Sequence, residues 1–69
     1  ERFAVVKDGS KGRFVYLAQG LLCAKGFYSG DLDGTAGVIM QAAIRGFQTA
    51  NGLKSDGICG AQTWKKLFS

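Results

Sequence analysis

The 69-residue chain has no histidine and no proline, and only five acidic side chains against nine basic ones. Without histidine no side chain titrates near neutrality in its ordinary state, so Ser-His or Cys-His nucleophile activation and most zinc sites lose their usual partner. Five carboxylates and two cysteines are too few for most hydrolytic sites, which places a binding module ahead of an enzyme. No apolar run approaches the length of a membrane span. No basic segment followed by an apolar one opens the chain as a secretory leader would, and a start at Glu1 without methionine is expected of a piece excised from something longer.

What is present is ordinary folded material, with 46% hydrophobic and 20% charged residues. A chain this short is one domain whose core supplies only a few kcal/mol of net stability. Glycine is the excess: 11 residues, about twice the usual share of ~7%. Most of that excess falls in a repeat, D-G-x-x-G followed three residues later by Val, Met or Thr. The copies are Asp8-Gly9, Gly12, Val15; Asp33-Gly34, Gly37, Met40; and Asp56-Gly57, Gly60, Thr63.

Apolar residues at helical spacing follow each copy. They are Phe14, Val15, Ala18, Leu21 and Leu22, then Met40, Ala43, Ile44 and Phe47, then Trp64, Leu67 and Phe68. The pattern predicts an all-α fold, a compact three-helix bundle with helices at about 12–25, 37–51 and 60–68, each opened by the same turn. In that turn Asp33 and Asp56 are expected to cap the following helix, while the glycine after each is free to take positive φ. Gly26 and Gly52 stand where a left-handed residue ends helices one and two. Residues 1–8 are an extended arm laid on the core or a linker remnant, and residues 9–69 form the domain. Leu22, Ile44, Phe47 and Leu67 are core, and Gln48, on the flank of the second stripe, is expected to bond loop backbone.

The chemistry-bearing residues are few. Asp31-x-Asp33-Gly34 is a fragment of a calcium loop, but the only glutamate is Glu1, so the bidentate ligand of such a loop is missing. No metal or cofactor is predicted. Tyr28, in a loop, reads as the best exposed aromatic. Trp64 is either core with its N–H satisfied at the edge or a surface ring for sugar stacking. Thr63 either bonds backbone locally or faces a ligand. Cys23 and Cys59 are open to two readings, one disulfide or two free thiols.

Certain words then stand in order: Val15-x-x-Ala18-Gln19-x-x-Leu22 with Lys25-Gly26-Phe27, Asp33-Gly34-x-x-Gly37, Ala43-Ile44-x-x-Phe47-Gln48-x-x-x-Gly52-Leu53, and Asp56-Gly57-x-x-Gly60-x-x-Thr63-Trp64-x-x-Leu67. From Gly12 to Leu67 this series resembles the peptidoglycan-binding module attached to bacterial cell-wall hydrolases, a compact three-helix domain. It departs from the family pattern at Ala36, where an aromatic is usual, at Met40, where Thr is usual, at Ala18, where Leu is usual, and at Cys59. The resemblance implies noncatalytic binding of peptidoglycan, through glycan strand or stem peptide, by a secreted module that targets a fused wall hydrolase to its substrate. The parent would be an enzyme such as an N-acetylmuramoyl-L-alanine amidase or a peptidase, acting outside the cell at the wall or delivered there by phage. The ligand-binding candidates are Tyr28, Asp33, Gly34, Gly37, Asp56, Gly57, Gly60, Thr63 and Trp64. A rival reading is a small basic three-helix DNA-binding domain. That function needs Lys and Arg gathered on one helix, whereas Lys11, Arg13, Lys25, Arg45, Lys54, Lys65 and Lys66 are spread over all three helices and their loops. No nucleic acid and no membrane insertion are predicted.

Overall fold

In a computed structural model describing residues 4–69, three helices form: α1 (Arg13–Ala24), α2 (Val38–Ala50) and α3 (Ala61–Leu67). Each lies within one residue of its predicted span at either end. The buried positions of α1, Val15, Ala18, Gln19 and Leu22, follow the i, i+3, i+4, i+7 spacing of one stripe. Those of α2 are Met40, Gln41, Ala43, Ile44, Phe47 and Gln48, and those of α3 are Thr63, Trp64 and Leu67. Helix α1 packs against both α2 and α3. Leu22, Ile44, Phe47 and Leu67 are all buried in the shared core, as predicted.

The two longer helices end in the same way. Phe27 N donates to Leu22 O at 2.8 Å and Gly26 N to Cys23 O at 3.0 Å; Leu53 N donates to Gln48 O at 2.8 Å and Gly52 N to Thr49 O at 3.2 Å. Both pairs are the 6→1 and 5→2 bonds of a Schellman ending, with φ of 85° at Gly26 and 71° at Gly52 as expected. The edge-to-face pair of Phe27 and Phe47, centroids 5.3 Å apart, ties the first ending to α2.

Helix starts differ from expectation. The N-cap residues are Gly12, Gly37 and Gly60, the second glycine of each repeat, and no side chain caps any of the three helices. Asp33 and Asp56 lie four residues before the cap glycines, too far upstream for the usual reach to N2 or N3. Each carboxylate instead accepts the N–H two residues on: Thr35 N to Asp33 Oδ1 and Ile58 N to Asp56 Oδ1, both at 3.0 Å. They shape the turn, and the turn delivers the helix.

The N-terminal arm is part of the packed unit. Val6 is 1% exposed and exchanges two backbone bonds with Cys59, Val6 N to Cys59 O at 3.1 Å and Cys59 N to Val6 O at 2.7 Å. Further along, Gly9 N donates to Ala36 O at 3.0 Å, Ala36 N to Ser10 O at 2.8 Å and Gly12 N to Gly34 O at 2.9 Å. Among the described residues these pairings amount to isolated antiparallel bridges and no strand. Of the two readings for residues 1–8, the described part, 4–8, is an arm laid on the core; residues 1–3 lie outside the described residues. Trp64 completes the attachment, its ring 3% exposed and its Nε1 donating to Ala4 O at 3.0 Å.

Cys23 and Cys59 are free thiols, the first exposed and the second fully buried beside Val6. Burial pushes the Cys59 thiol up to about 12. The chain is thus held by packing and hydrogen bonds without a covalent staple between these residues. Val6→Ala is expected to destabilise the domain by about 2 kcal/mol, read as a lower urea midpoint at unchanged slope; a change within error would mean that the arm is not part of the cooperative unit.

Candidate functional site

Two of the three repeat turns are built by one hydrogen-bond circuit, used twice. On α1, Gln19 is fully buried; its Oε1 accepts Gly34 N at 2.9 Å, and its Nε2 donates to Asp33 Oδ1 at 3.0 Å, Thr35 O at 3.1 Å and Tyr28 Oη at 3.3 Å. On α2, Gln48 is 1% exposed; its Oε1 accepts Gly57 N at 3.0 Å, and its Nε2 donates to Asp56 Oδ1 at 3.1 Å, Ile58 O at 3.0 Å and Thr63 Oγ1 at 3.1 Å. An amide is the one neutral group that offers both a carbonyl and two N–H bonds at a single point, so it can hold an Asp-Gly turn by its carboxylate and its backbone together. The bond from Gln48 to loop backbone was legible in the sequence; the matching role of Gln19 was missed.

The glycine at the centre of each circuit takes the left-handed conformation that favours glycine. Gly34 and Gly57 have φ of 73° and 75°, and a Cβ on Gly57 would sit 2.9 Å from the Gln41 side-chain amide and 3.1 Å from Arg45 Nε. Gln41 joins the remaining turn to this one. In the amide orientation that satisfies both ends, its nitrogen donates to Gly57 O at 2.8 Å and its oxygen accepts Asp8 N at 3.0 Å.

Both aspartates are held below the usual carboxylate range. For Asp33 the main cause is the Gln19 amide, followed by the Thr35 N–H; for Asp56 it is the Ile58 N–H, with Gln48 adding to it.

Beside each circuit lies a groove. The first, about 320 Å³, is lined by Tyr28, Gly30, Asp31, Asp33, Thr35, Gly37, Val38, Ile39 and Met40. The second, about 270 Å³, is lined by Gln48, Leu53, Lys54, Asp56, Ile58, Gly60, Ala61, Gln62 and Thr63. In repeat register the walls correspond: Asp33 with Asp56, Thr35 with Ile58, Gly37 with Gly60, Val38 with Ala61, Ile39 with Gln62 and Met40 with Thr63.

Of the residues singled out from sequence, Tyr28, Asp33 and Gly37 border the first groove and Asp56, Gly60 and Thr63 the second. Gly34 and Gly57 stand behind the walls, within the circuits. One expectation needs correction. Tyr28 is 7% exposed, not surface-facing; its hydroxyl donates to Asp31 O at 2.6 Å and accepts from Gln19, and burial raises its pKa above the usual tyrosine value. Of the two readings of Trp64 the first holds, core with its N–H satisfied at the edge, the ring packed with Phe14, edge-on at 6.5 Å, and Phe68, stacked at 6.0 Å. Thr63 stands at the wall of the second groove, and its hydroxyl accepts from the Gln48 side chain. Sequence reading also passed over Val38 and Ile39, which are 83% and 64% exposed at the groove edge. Their position off the Met40, Ala43, Ile44, Phe47 stripe was the available signal.

A family model described as a peptidoglycan binding domain matches residues 11–67. A spore cortex-lytic enzyme of Bacillus cereus is 40% identical over 63 residues, covering 91% of this chain and 24% of that enzyme. The chain therefore spans about a quarter of the length of that relative. The crystal structure of the SleB N-terminal domain superposes with a TM-score of 0.93 at 38% identity, covering 96% of this chain and 90% of that one. A Burkholderia AP3 phage endolysin superposes with a TM-score of 0.88 at 34% identity, over 93% of this chain and 24% of the endolysin.

Replacing Gln48 by Leu strands the buried Gly57 N–H and removes the donor to Asp56 and Thr63. This is expected to cost about 2–4 kcal/mol in a denaturation measurement, with Gln48→Glu no milder because a second carboxylate would face Asp56. The circuits also set an acid limit. Since the folded pKa of each aspartate lies below the unfolded value of about 3.9, their contribution is complete above that pH and is lost as pH falls through the folded pKa. Circular dichroism should show stability declining below about pH 4, and Asp33→Asn with Asp56→Asn should flatten that decline.

Proposed function

The chain belongs to the peptidoglycan binding domain family, and from that premise we propose that it is a noncatalytic module that holds a fused wall-lytic enzyme on peptidoglycan. The observation that carries this reading is the pair of grooves held open beside the Asp33–Gly37 and Asp56–Gly60 turns, each fixed by a buried amide. Asp33 and Gly37 with Tyr28, and Asp56 and Gly60 with Thr63, border the ligand; Gly34 and Gly57 set the backbone behind them. Trp64 is assigned to the core. The functional unit comprises residues 9–69 together with the arm that pairs with it.

Tethering raises the local concentration of a catalytic domain on a polymer without any chemistry in the module itself. The named relatives include a spore cortex-lytic enzyme, a phage endolysin and an N-acetylmuramoyl-L-alanine amidase, which supports an amidase or another wall hydrolase as the parent and the cell wall as the place of action. A net charge of +4 adds attraction to an anionic wall and is screened by salt. DNA recognition is not favoured: exposed Lys11, Arg13, Lys25, Arg45, Lys54, Lys65 and Lys66 are spread over every helix or its flanks, so no helix is a basic reader.

The isolated domain is expected to sediment with purified sacculi at low ionic strength, to elute progressively as salt rises, and to leave the turbidity of the suspension unchanged. Absence of sedimentation at low salt overturns the reading.

A further inference from the structure

Resting on the peptidoglycan reading above, we infer that this module grips the peptide stems of the wall and not its sugar strands, at two repeat-related grooves that differ in charge. The first groove takes an amine-bearing alkyl segment, and the second takes a carboxylate.

Sugar recognition characteristically uses an exposed aromatic face against the apolar side of a ring. Neither groove offers one. Tyr28, the aromatic that borders the first groove, is 7% exposed with its hydroxyl bonded on both sides, and the second groove has no aromatic in its wall. What the walls offer is peptide chemistry. In the first groove Val38 and Ile39 present alkyl surface at 83% and 64% exposure, beside the exposed carboxylate of Asp31 and with no basic residue in the wall, while Asp33 is engaged by Gln19 and by Thr35 N–H. An exposed β-branched pair contributes nothing to this core, whereas methyl and alkyl side chains of a peptide would cover it. Asp31 beside it suits the amine of a stem diamino acid.

At the second groove the corresponding positions are Ala61 and Gln62, and Lys54 supplies a cation. The Asp56 carboxylate there is occupied by Gln48 and by Ile58 N–H, which leaves Lys54 and the Gln62 amide as the groups suited to a stem carboxylate. Peptide stems carry carboxylates, an amine and methyl groups together, so one kind of ligand matches both walls. Two weak grips on neighbouring stems of one polymer also combine by effective concentration, without needing a deep pocket.

The test is a heteronuclear NMR titration of the domain with a sugar-free stem pentapeptide containing a diamino acid, and separately with a peptide-free glycan strand, alongside sedimentation with intact sacculi. The expected result is two groups of shifted amides, around 33–39 and around 56–63, whose midpoints fit independently, with no saturable shift from the glycan. Lys54→Glu should weaken the 56–63 midpoint about tenfold and spare the other group, and Val38→Lys should do the reverse, each variant keeping its dispersed spectrum. Sedimentation with sacculi together with shifts from the glycan alone, or with one shifted group only, overturns this inference and leaves the function standing. Loss of binding to sacculi overturns both.

Discussion

A buried side-chain amide has two N–H donors and a two-lone-pair oxygen to satisfy and no water to satisfy them. Gln19 and Gln48 are in that position, each on the inner face of a helix. Their partners must therefore come from the next turn of the chain, and the turn must present a backbone N–H, a carboxylate and a carbonyl toward one point. An Asp-Gly pair with the glycine at positive φ does this. The same geometry orients the following glycine as a helix N-cap, so the start of α2 depends on a residue of α1, and the start of α3 on a residue of α2. The repeat is in this sense a chain of dependencies in which each helix locates its successor.

The dependency closes through the arm. Val6 pairs with Cys59 in the last turn, Gly9 and Ser10 pair with Ala36 in the middle one, and Trp64 reaches Ala4. These contacts join distant parts of the sequence, Trp64 standing 60 positions from Ala4. In a domain this small, where the core alone supplies little surplus and the thiols of Cys23 and Cys59 are free, such long-range backbone pairing does work that a disulfide often does elsewhere. Ala36 and Cys59, the partners of these pairings, are small residues that lie buried beneath them at 2% and 0% exposure.

What the sequence revealed and what it hid divide along one line, local against tertiary. Helix spans, the Schellman endings at Gly26 and Gly52 and the repeated turns all rest on interactions within a few residues, and these were legible. The Asp33 and Asp56 side chains were assigned to the wrong partner by a narrow margin: their i to i+2 reach is local too, but a helix start four residues away competes for the same reading. Tyr28 was misjudged, and Trp64 left open, for a different reason. Loop position suggests exposure for the first and leaves the second open, but burial depends on Gln19 needing an acceptor near Tyr28 and on an arm 60 residues away reaching Trp64. Gln19 itself was hidden because its turn begins 14 residues on, across the end of its helix, where the Gln48 partner is only eight residues away.

The two grooves show how such a scaffold can change what it holds without changing its shape. Gln, Asp and Gly recur at the positions that fix the backbone, and the walls next to them differ: Val38, Ile39 and Met40 on one side, Ala61, Gln62 and Thr63 on the other. Because the amide circuit is buried and the groove edge is exposed, substitutions at the edge leave the turn's hydrogen bonds intact. Thr63 is the exception that marks the boundary, since its hydroxyl belongs to the Gln48 circuit whereas the thioether of Met40 at the same register is buried in the core instead. In the second repeat Tyr28 Oη takes the Gln19 bond that Thr63 Oγ1 takes from Gln48 in the third. The circuit is thus completed from the loop in one case and from the helix in the other. That freedom of source is what lets the second repeat carry an apolar helix edge over its groove while the third keeps a polar one.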